Sequence, residues 1–520
     1  MRKYTLSRAF VPTQTIDIPA FGGKLDVSWS PESQVTQWGG LAYFVSYLKT
    51  SGLFDRLVVD APFRYTSPNA PGVRNVIGTT VLAIVCGFTR YSHINRLRND
   101  TVLAKLLGLG RIVCEDSVRR ALKSADESEL DAWLARHEKD VFDKLLDYPY
   151  ALDIDNTVKP IFGHQEGAEL GYNPQKPGRP SHNFHSYFIG SIRISLGVDV
   201  QPGKRHSGIC GMPRLWEILD GLPPEKRPRL IRGDVGYGGD ENMCEVERRG
   251  LTHLFKIRRT KTVLALFRRH ENSGDWADAG VGWEAMGTEV QLAGWATARR
   301  CIFLRRPSKD ARRIAAATQP RRRGRPKKDA NVPVQAEFDF VEDKVGRCWD
   351  LCALVTNDRT FDAATLAQVY RDRGDCENNF DEYKNQYGWG GFVTKDLKPC
   401  RAIARLIAIV ANWWNVFCRL ADGDRHLEPT TSRPMYMGVV GRLVTSGRQR
   451  LLRLTSTHLK AREIQSSLIR IGEFMKRISA TAEQLDFNRT WELIILAAFR
   501  KWLGGNRSKG LLPEPLALIG

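Results

Sequence analysis

The chain has 520 residues, which is too long for one small domain and predicts roughly two to four structural units. Its 42% hydrophobic and 26% charged residues are typical of a globular protein and exclude a largely disordered chain. The net charge of +20 and the pI near 9.6 indicate a polyanionic partner, with nucleic acid favoured over an anionic membrane surface.

Cysteine usage and hydropathy predict a soluble cytoplasmic protein. The ten cysteines form no CxxC pair and no metal-type cluster, which is typical of reduced thiols. The N-terminus lacks an apolar stretch of signal-peptide length. The two most apolar windows, 76–88 and 405–417, are too short to span a bilayer and predict buried helices, so we expect no membrane partner.

Residues 1–145 form a region that we predict to be mainly helical and DNA-binding. The apolar segment from Val73 to Phe88 predicts a core helix. A short amphipathic pattern ends at the glycines of 108–110, and a second helix follows with Asp116 or Ser117 as its N-cap. This order resembles a helix-turn-helix, whose base-reading residues would be Ser117, Arg119 and Arg120. The alternative is a plain helical pair that packs on its neighbours.

From Tyr148 onward, the pattern changes to strands separated by short helical pieces. We predict strands within 148–158, 184–200, 229–236 and 252–260, and a helix at 240–250. Such an order favours a mixed α/β sheet.

The segment 262–349 interrupts this pattern and predicts a β-rich insertion with an exposed basic loop at 319–333. The α/β pattern resumes at 348–358, and a long helix is predicted from Asp362 to Gln386. We therefore divide the chain into five parts. They are a helical N-terminal region (1–145), the first part of the core (146–261), the β-rich insertion (262–349), the second part of the core (350–425) and a basic helical C-terminal region (426–520).

Three acidic positions are candidates for chemistry. In a strand Asp153 and Asp155 lie on one face, where burial of two carboxylates is costly without a cation. Asp234 follows an apolar strand at a glycine-rich turn, where α/β sheets collect functional groups. The alternatives are a solvated strand face for the first pair and a turn-capping aspartate for Asp234.

The third acidic position lies on the helix predicted at 362–386. At about 100° per residue, Tyr370, Arg373, Glu377 and Lys384 fall within about 60° of one another on one helix face. This stripe is unsuited to a core, and the alternative is a salt-bridged solvent face. Three carboxylates on two strands and a helix suit a two-metal phosphoryl-transfer site, because Mg²⁺ prefers oxygen ligands.

The spacing Y-x-x-R-x-x-x-E-x-x-x-x-x-x-K resembles the signature of cut-and-paste transposases of bacterial insertion sequences. LDIDNT resembles their first acidic motif, which favours Asp155 over Asp153 because Thr157 follows two residues later. RGDVGYGG resembles the second motif and supplies Asp234. The motifs are closest to the DDE group 1 transposase domain and cover roughly residues 70–425.

The resemblance implies a ribonuclease H-like core in which Asp155, Asp234 and Glu377 hold two Mg²⁺ ions, with Mn²⁺ as a substitute. It further implies that Arg373 and Lys384 position DNA phosphates and that Tyr370 supports them. The enzyme would bind the inverted-repeat ends of its element, pair them as a homodimer, cleave the strands and join the 3′-hydroxyls to target DNA. The protein would be cytoplasmic and associated with the nucleoid.

The insertion carries further candidate DNA contacts. Its basic loop contains Arg-Gly-Arg-Pro, which resembles an AT-hook core for a narrow minor groove. The alternative is a loop that binds phosphates without sequence preference. Trp283, Trp295 and Trp349 are predicted as core residues, with stacking on an extruded base as the alternative. The candidate DNA contacts of the loop are Arg323, Arg325, Lys327 and Lys328.

Other aromatic and histidine residues have simpler interpretations. His164, His182 and His185 lack metal-ligand spacing and are interpreted as phosphate contacts or structural groups. Trp413 and Trp414 lie in an apolar helix and are predicted to be core residues.

Two other functions stay open at this point. One is a transposase-derived DNA-binding protein that no longer cuts, although all three carboxylates are present. The other is a different two-metal nuclease on the same fold, which the long insertion and the helix-turn-helix candidate disfavour.

Overall fold

The computed structural model describes residues 16–21, 23–27, 34–174, 176–308, 340–342, 348–423, 425–458, 460–481 and 486–503. The predicted DNA contacts Arg323, Arg325, Lys327 and Lys328 lie outside the described residues. The backbone of 375–377 is described, but the side chains there, including that of Glu377, are not.

Helices dominate the chain that precedes the main sheet. Asp100 and Asp126 cap two of them, since the Asp100 carboxylate accepts hydrogen bonds from the backbone N–H groups of Val102 and Leu103, both at 3.0 Å. The predicted core helix at 73–88 ends at Val85, and its residues from 76 onward are buried. The elements of this region are β1 (Ile16–Ala20), β2 (Gly23–Val27), β3 (Gln34–Thr36), α1 (Leu41–Ser51), α2 (Leu53–Val59), α3 (Val73–Val85), α4 (Ile94–Leu97), α5 (Thr101–Leu106), α6 (Glu115–Ser124) and α7 (Glu127–Phe142).

The pair α5 and α6 departs from the predicted helix-turn-helix. The second helix begins at Glu115 with Cys114 as its N-cap, so the predicted caps Asp116 and Ser117 lie inside the helix. Residues 107–114 join the two helices, a longer connection than the turn of three or four residues in that motif. Because α6 also packs on α3, its geometry is that of a plain helical pair, and DNA reading by α6 stays a prediction.

The main sheet is mixed, as the sequence predicted. Its strand order is β6-β5-β4-β7-β8-β13-β11-β10-β9, with β12 paired to β13. The pairs β6–β5 and β5–β4 are antiparallel, whereas β4–β7 and β7–β8 are parallel. The strands are β4 (Ala151–Pro160), β5 (Ser181–Ile189), β6 (Ile194–Pro202), β7 (Leu230–Gly233), β8 (His253–Lys256), β9 (Ala277–Asp278), β10 (Glu284–Val290), β11 (Arg299–Pro307), β12 (Phe340–Glu342) and β13 (Cys348–Thr356). The helices between them are α8 (Ser207–Cys210), α9 (Met212–Asp220), α10 (Asp240–Arg248) and α11 (Lys261–His270).

The β-rich segment predicted as an insertion is continuous with this sheet. Strand β13 pairs antiparallel with β8, and β11 pairs with β13, so β9, β10 and β11 extend the same layer. One apolar cluster contains Leu230 and Leu254 from the first part of the core together with Ile302 and Leu354. The segment is therefore an insertion in sequence but shares a core with its neighbours, and the domain boundaries stay predictions.

The helix predicted from Asp362 to Gln386 is not a regular α-helix. It consists of α12 (Ala363–Arg371), a 3₁₀ turn at Asp372–Gly374, α13 (Asp375–Asp381) and a π-helical turn at Glu382–Gln386. A 3₁₀ turn advances by about 120° per residue rather than about 100°, so the predicted single stripe is displaced beyond residue 374. The side chain of Asp362 caps α12 by accepting a hydrogen bond from the N–H of Thr365.

The helix α14 (Leu397–Asp422) passes through the middle of the protein and packs on β6, α7 and α3. It is longer than its apolar window predicted, and by length and composition it could cross a membrane, but 94% of its most apolar window is buried inside the protein. Trp413 and Trp414 are both 1% exposed, which confirms them as core residues.

The chain after α14 is not purely helical, contrary to the prediction. Strands β14 and β15 form a hairpin whose first strand pairs with β3. Ser446 faces Gln449 across a two-residue turn, where Gly447 has a φ of +58°. The elements are α15 (Pro429–Tyr436), β14 (Gly441–Ser446), β15 (Gln449–Leu454), α16 (Ala461–Thr481), α17 (Phe487–Ala498) and α18 (Arg500–Leu503).

Candidate active site

Two of the predicted carboxylates meet at the centre of the sheet. The parallel strands β4 and β7 pair Asp153 with Arg232 and Ile154 with Gly233. The next residues in this register are Asp155 and Asp234, so the strand pairing itself places them side by side. Asp234 lies immediately after β7, where the chain leaves the sheet.

Asp155 is a buried carboxylate with incomplete compensation. Its Oδ2 lies 2.7 Å from Nη2 of Arg373, and its Oδ1 accepts the N–H of Asn156 at 2.8 Å. Burial raises the pKa of Asp155 to about 6; the Arg373 guanidinium lowers it, and the nearby Asp234 carboxylate raises it further. The Arg373 guanidinium therefore offsets only part of the cost of placing the Asp155 charge in a buried position beside a second carboxylate.

Asp234 is held by the turn that follows it. Its Oδ1 accepts the N–H of Gly236 at 2.9 Å, and its carbonyl accepts the N–H of Tyr237 at 3.1 Å. The turn therefore holds the Asp234 carboxylate through one of its oxygens.

Asp153, the alternative first ligand, is part of a buried ion pair. Arg232 donates from Nε to its Oδ1 at 2.6 Å and from Nη2 to its Oδ2 at 2.8 Å. The Asp153 side chain is 0% exposed, and Arg232 also donates to the carbonyl of Val369 in α12. Both Asp153 oxygens are thus engaged, which favours Asp155 as the ligand and gives Asp153 a structural role.

The segment from α12 to α13 supplies the rest of the site. Arg373 lies in the 3₁₀ turn, 9% exposed, and donates to the carbonyl of Ile154 at 3.4 Å in addition to its contact with Asp155. Tyr370 is half-buried near both aspartates, and burial raises the pKa of its hydroxyl. Glu377 lies in α13, which packs against β4, but its side chain is outside the described part.

Lys384 lies further along, in the π-helical turn. Burial lowers the pKa of its ammonium, and Asp381 partly offsets that effect. The described contacts of Asp155 and Asp234 do not include Lys384. The structure therefore brings together Asp155, Asp234, Arg373 and Tyr370, whereas Lys384 stays a predicted phosphate contact.

Sequence reasoning missed a buried tyrosine–histidine pair beneath the site. The Tyr237 hydroxyl lies 3.1 Å from Nδ1 of His185, and Tyr237 is close to both aspartates and to Arg373. Burial lowers the pKa of His185 to about 4, so this histidine is neutral at pH 7. The signals in the sequence were His185, interpreted above as a phosphate contact or a structural group, and a tyrosine between glycines three residues after Asp234.

Histidines 164 and 182 lie apart from the two aspartates. His182 is buried, with Nε2 at 2.9 Å from the carbonyl of Glu166, which favours its structural interpretation. His164 is exposed and lines a cleft of about 430 Å³ together with Arg119 and Lys123 of α6.

The predicted base-reading residues of α6 have partners within the helix. Arg119 donates to Asp116 at 2.8 Å, and Arg120 donates to the carbonyl of Asp116 at 3.2 Å. The Ser117 hydroxyl lies 3.2 Å from the thiol of Cys114. These contacts occupy the side chains that the prediction assigned to DNA.

Three of the four tryptophans in the predicted insertion were considered for base stacking, and all three pack against arginines. Trp349 is 6% exposed, with the Arg305 guanidinium 4.6 Å from its ring centre. Trp283 and Trp295 are half-buried and stack with Arg306 and Arg299, respectively. The packing favours the predicted core role over stacking on an extruded base.

The donor set suits a divalent cation. Carboxylate oxygens are the ligands that Mg²⁺ prefers, and a cation would neutralise the largely buried charge of Asp155 and the neighbouring charge of Asp234. Among the described side chains, which do not include Glu377, no group of three acidic, histidine or cysteine residues could hold a metal ion. The two aspartates therefore fit the implied cofactor as part of a ligand set.

Comparison with known proteins places these residues in a family. The model of the family described as "Transposase DDE domain group 1" matches residues 35–476. Among solved structures, the chain is similar to a piggyBac transposase in a synaptic complex with hairpin DNA, at 11% identity and a TM-score of 0.35, with 93% of this chain and 91% of that chain covered. No curated protein matches the chain. Because the family model covers most of its length, the chain belongs to the DDE group 1 transposase family.

Proposed function

We propose that this transposase binds the inverted-repeat ends of its own element, cleaves DNA by two-metal-ion phosphoryl transfer and joins the 3′-hydroxyl ends to target DNA. The observation that carries the proposal is the β4–β7 register, which sets Asp155 beside Asp234 with Arg373 on the Asp155 carboxylate. Two adjacent carboxylates, one largely buried and one half-buried, next to a guanidinium can bind cations and DNA phosphate in one place.

The catalytic core is, in this proposal, ribonuclease H-like. Its support is the mixed arrangement β6-β5-β4-β7-β8, with the first aspartate on the central strand β4 and the second at the end of its parallel neighbour β7. The helical segment that carries Arg373 and Glu377 contacts β4 through its helix α13.

Asp155, Asp234 and Glu377 are the proposed ligands of two Mg²⁺ ions, with Mn²⁺ as a substitute. When bound, such ions supply an activated water or 3′-hydroxyl and stabilise the leaving oxygen. Arg373 holds the Asp155 carboxylate in place, and its guanidinium has donors that would bind a DNA phosphate beside it. Tyr370, which precedes Arg373 in the sequence, and Lys384, which follows it, contact the same phosphates.

The proposed partner is double-stranded DNA, both at the element ends and at the target, bound by a homodimer that pairs the two ends. The net charge of +20 supports a polyanionic partner. We further propose a cytoplasmic, nucleoid-associated protein.

The test is a cleavage and strand-transfer assay with Mg²⁺ on duplexes that carry the inverted repeats flanking the coding sequence. We expect the natural protein to cut and join, and Asp155→Ala, Asp234→Ala and Glu377→Ala to bind these ends without cutting. The control variant Glu129→Ala removes an exposed carboxylate on α7 and should cut normally.

Each other outcome selects a different function. Binding without cutting by the natural protein, with any divalent metal, would favour a transposase-derived DNA-binding protein. Cutting without joined products would favour a two-metal nuclease on the same fold. An active Asp155→Ala variant would contradict the assignment of the first ligand.

A further inference from the structure

An exposed apolar side chain lies at the edge of the turn that holds Asp234. Ile209, in the short helix α8, is 71% exposed. Single exposed apolar residues are common on protein surfaces, so exposure by itself does not indicate a role. The position and the surroundings of Ile209 distinguish it from such residues.

Helix α8 is packed rigidly against the Asp234 turn. Asn242 Nδ2 donates to the carbonyls of Gly208 and Tyr237, both at 3.1 Å. A side chain at Gly208 would place its Cβ 2.3 Å from the carbonyl oxygen of Gly236, whose N–H binds Asp234. Since consecutive Cα atoms are about 3.8 Å apart, Ile209 lies on the order of 10 Å from the Asp234 carboxylate.

Three basic residues lie three to five positions before Ile209 in the sequence. Lys204, Arg205 and His206 are all exposed, and the segment 203–211 contains no acidic residue. The backbone there is fixed, because Asn183 Nδ2 donates to the carbonyl of Arg205 at 3.1 Å. Arg258 adds a further cation, with Nη2 at 3.1 Å from Nε2 of His206.

We propose that Ile209 is a wedge that inserts between base pairs beside the cleavage position, while Lys204 and Arg205 hold the adjoining phosphates. The inference rests on the proposed DNA cleavage. Apolar side chains such as Ile can unstack a base step when neighbouring cations bind the backbone. At about 3.4 Å per base pair, Ile209 meets the duplex within about three base pairs of the phosphate that is cut. Opening the duplex there lets one strand reach Asp155 and Asp234.

The direct test is the fluorescence of 2-aminopurine, placed in turn at each of these base pairs in a duplex that carries the inverted repeat. The protein carries Asp155→Asn, so that binding is measured without cutting. We expect fluorescence to rise on binding, to stay at the free-duplex level with Ile209→Ala and to be retained with Ile209→Met. The control Val59→Ala removes an apolar side chain that is 81% exposed on α2 and should behave like the parent.

Cleavage by the otherwise natural enzyme gives a second readout. Ile209→Ala should cut the fully paired end on the order of tenfold more slowly and regain the normal rate on a duplex mismatched at the same positions, since the cost of unstacking is already removed. Its thermal unfolding should match that of the natural protein, because an exposed side chain contributes little to the core.

The two proposals fail in different ways. If the Asp155→Asn protein does not bind the ends, or the natural protein does not cut them, the proposed function is wrong. If the natural protein binds and cuts but Ile209→Ala leaves the fluorescence or the paired-end rate unchanged, only the wedge is wrong. A slow Ile209→Ala variant that mismatches do not rescue would also overturn the wedge.

Discussion

The ion pair between Asp153 and Arg232 gives a prediction that separates structure from catalysis within one strand. Asp153→Ala would remove both carboxylate acceptors from a buried guanidinium whose side chain is 4% exposed and which also donates to the carbonyl of Val369. Two charge-assisted hydrogen bonds, at 2.6 and 2.8 Å, would be lost at once. Removing one partner of such a buried pair costs about 3–5 kcal/mol of folding free energy.

The measurement is thermal unfolding of purified variants. For a cooperative unit of about 200 residues, a loss of this size lowers the unfolding midpoint by on the order of 10 °C. The double variant Asp153→Leu with Arg232→Met should recover much of that loss, because an apolar pair of similar volume leaves no buried charge. By contrast, Asp155→Asn should not lower the midpoint, although it should lose cleavage.

Two results would contradict this reasoning. One is an Asp153→Ala variant with native stability and no cleavage, which would make Asp153 a ligand rather than a structural residue. The other is a double variant no more stable than Asp153→Ala, which would show that the loss does not come from the buried Arg232 charge that has lost the Asp153 carboxylate.

Three further predictions follow from other buried polar groups. Because burial raises the pKa of Asp155 from 3.8 to about 6, its stabilising contribution is present below pH 4 and lost as the pH rises through 6. Between pH 4 and 7, the unfolding midpoint of Asp155→Asn should therefore rise relative to that of the metal-free natural protein. Addition of Mg²⁺ should remove this difference in midpoint. Glu138 accepts hydrogen bonds from Arg405 at 2.8 and 2.7 Å with both side chains buried, so Glu138→Ala should cost about 3–5 kcal/mol in urea unfolding. Tyr237→Phe leaves His185 Nδ1 without its described partner and should cost about 1–3 kcal/mol, together with slower cleavage at saturating DNA.

Local patterns in the sequence were sufficient to predict many elements. The apolar run at 73–88 predicted a buried helix, and α3 is buried from Val76 to Val85. The strand patterns around Asp155 and Asp234 correspond to β4 and β7, because alternation and flanking glycines are properties of neighbouring residues.

Other features depended on contacts between distant residues. Strand β3 pairs with the hairpin of β14 and β15 and completes this small sheet. Leu443 in β14 is opposite Gln34 in β3, which is more than 400 residues earlier in the chain. The helix containing Arg373 changes to a 3₁₀ turn where its guanidinium meets Asp155, a contact that periodicity does not encode. Both departures arise because tertiary packing overrides local propensity.

The sequence by itself determined which acidic residues were candidates, since their identity and spacing are written in the chain. Strand alternation could not choose between Asp153 and Asp155, because both lie on the same face of one strand, and only the resemblance of LDIDNT to a family motif favoured Asp155. Only the tertiary structure decided that Arg232, one strand away, neutralises Asp153, whereas Asp155 lies beside Asp234 at the end of β7. The physical reason is that the state of a buried carboxylate depends on the charges that folding brings next to it, and those charges come from other parts of the chain.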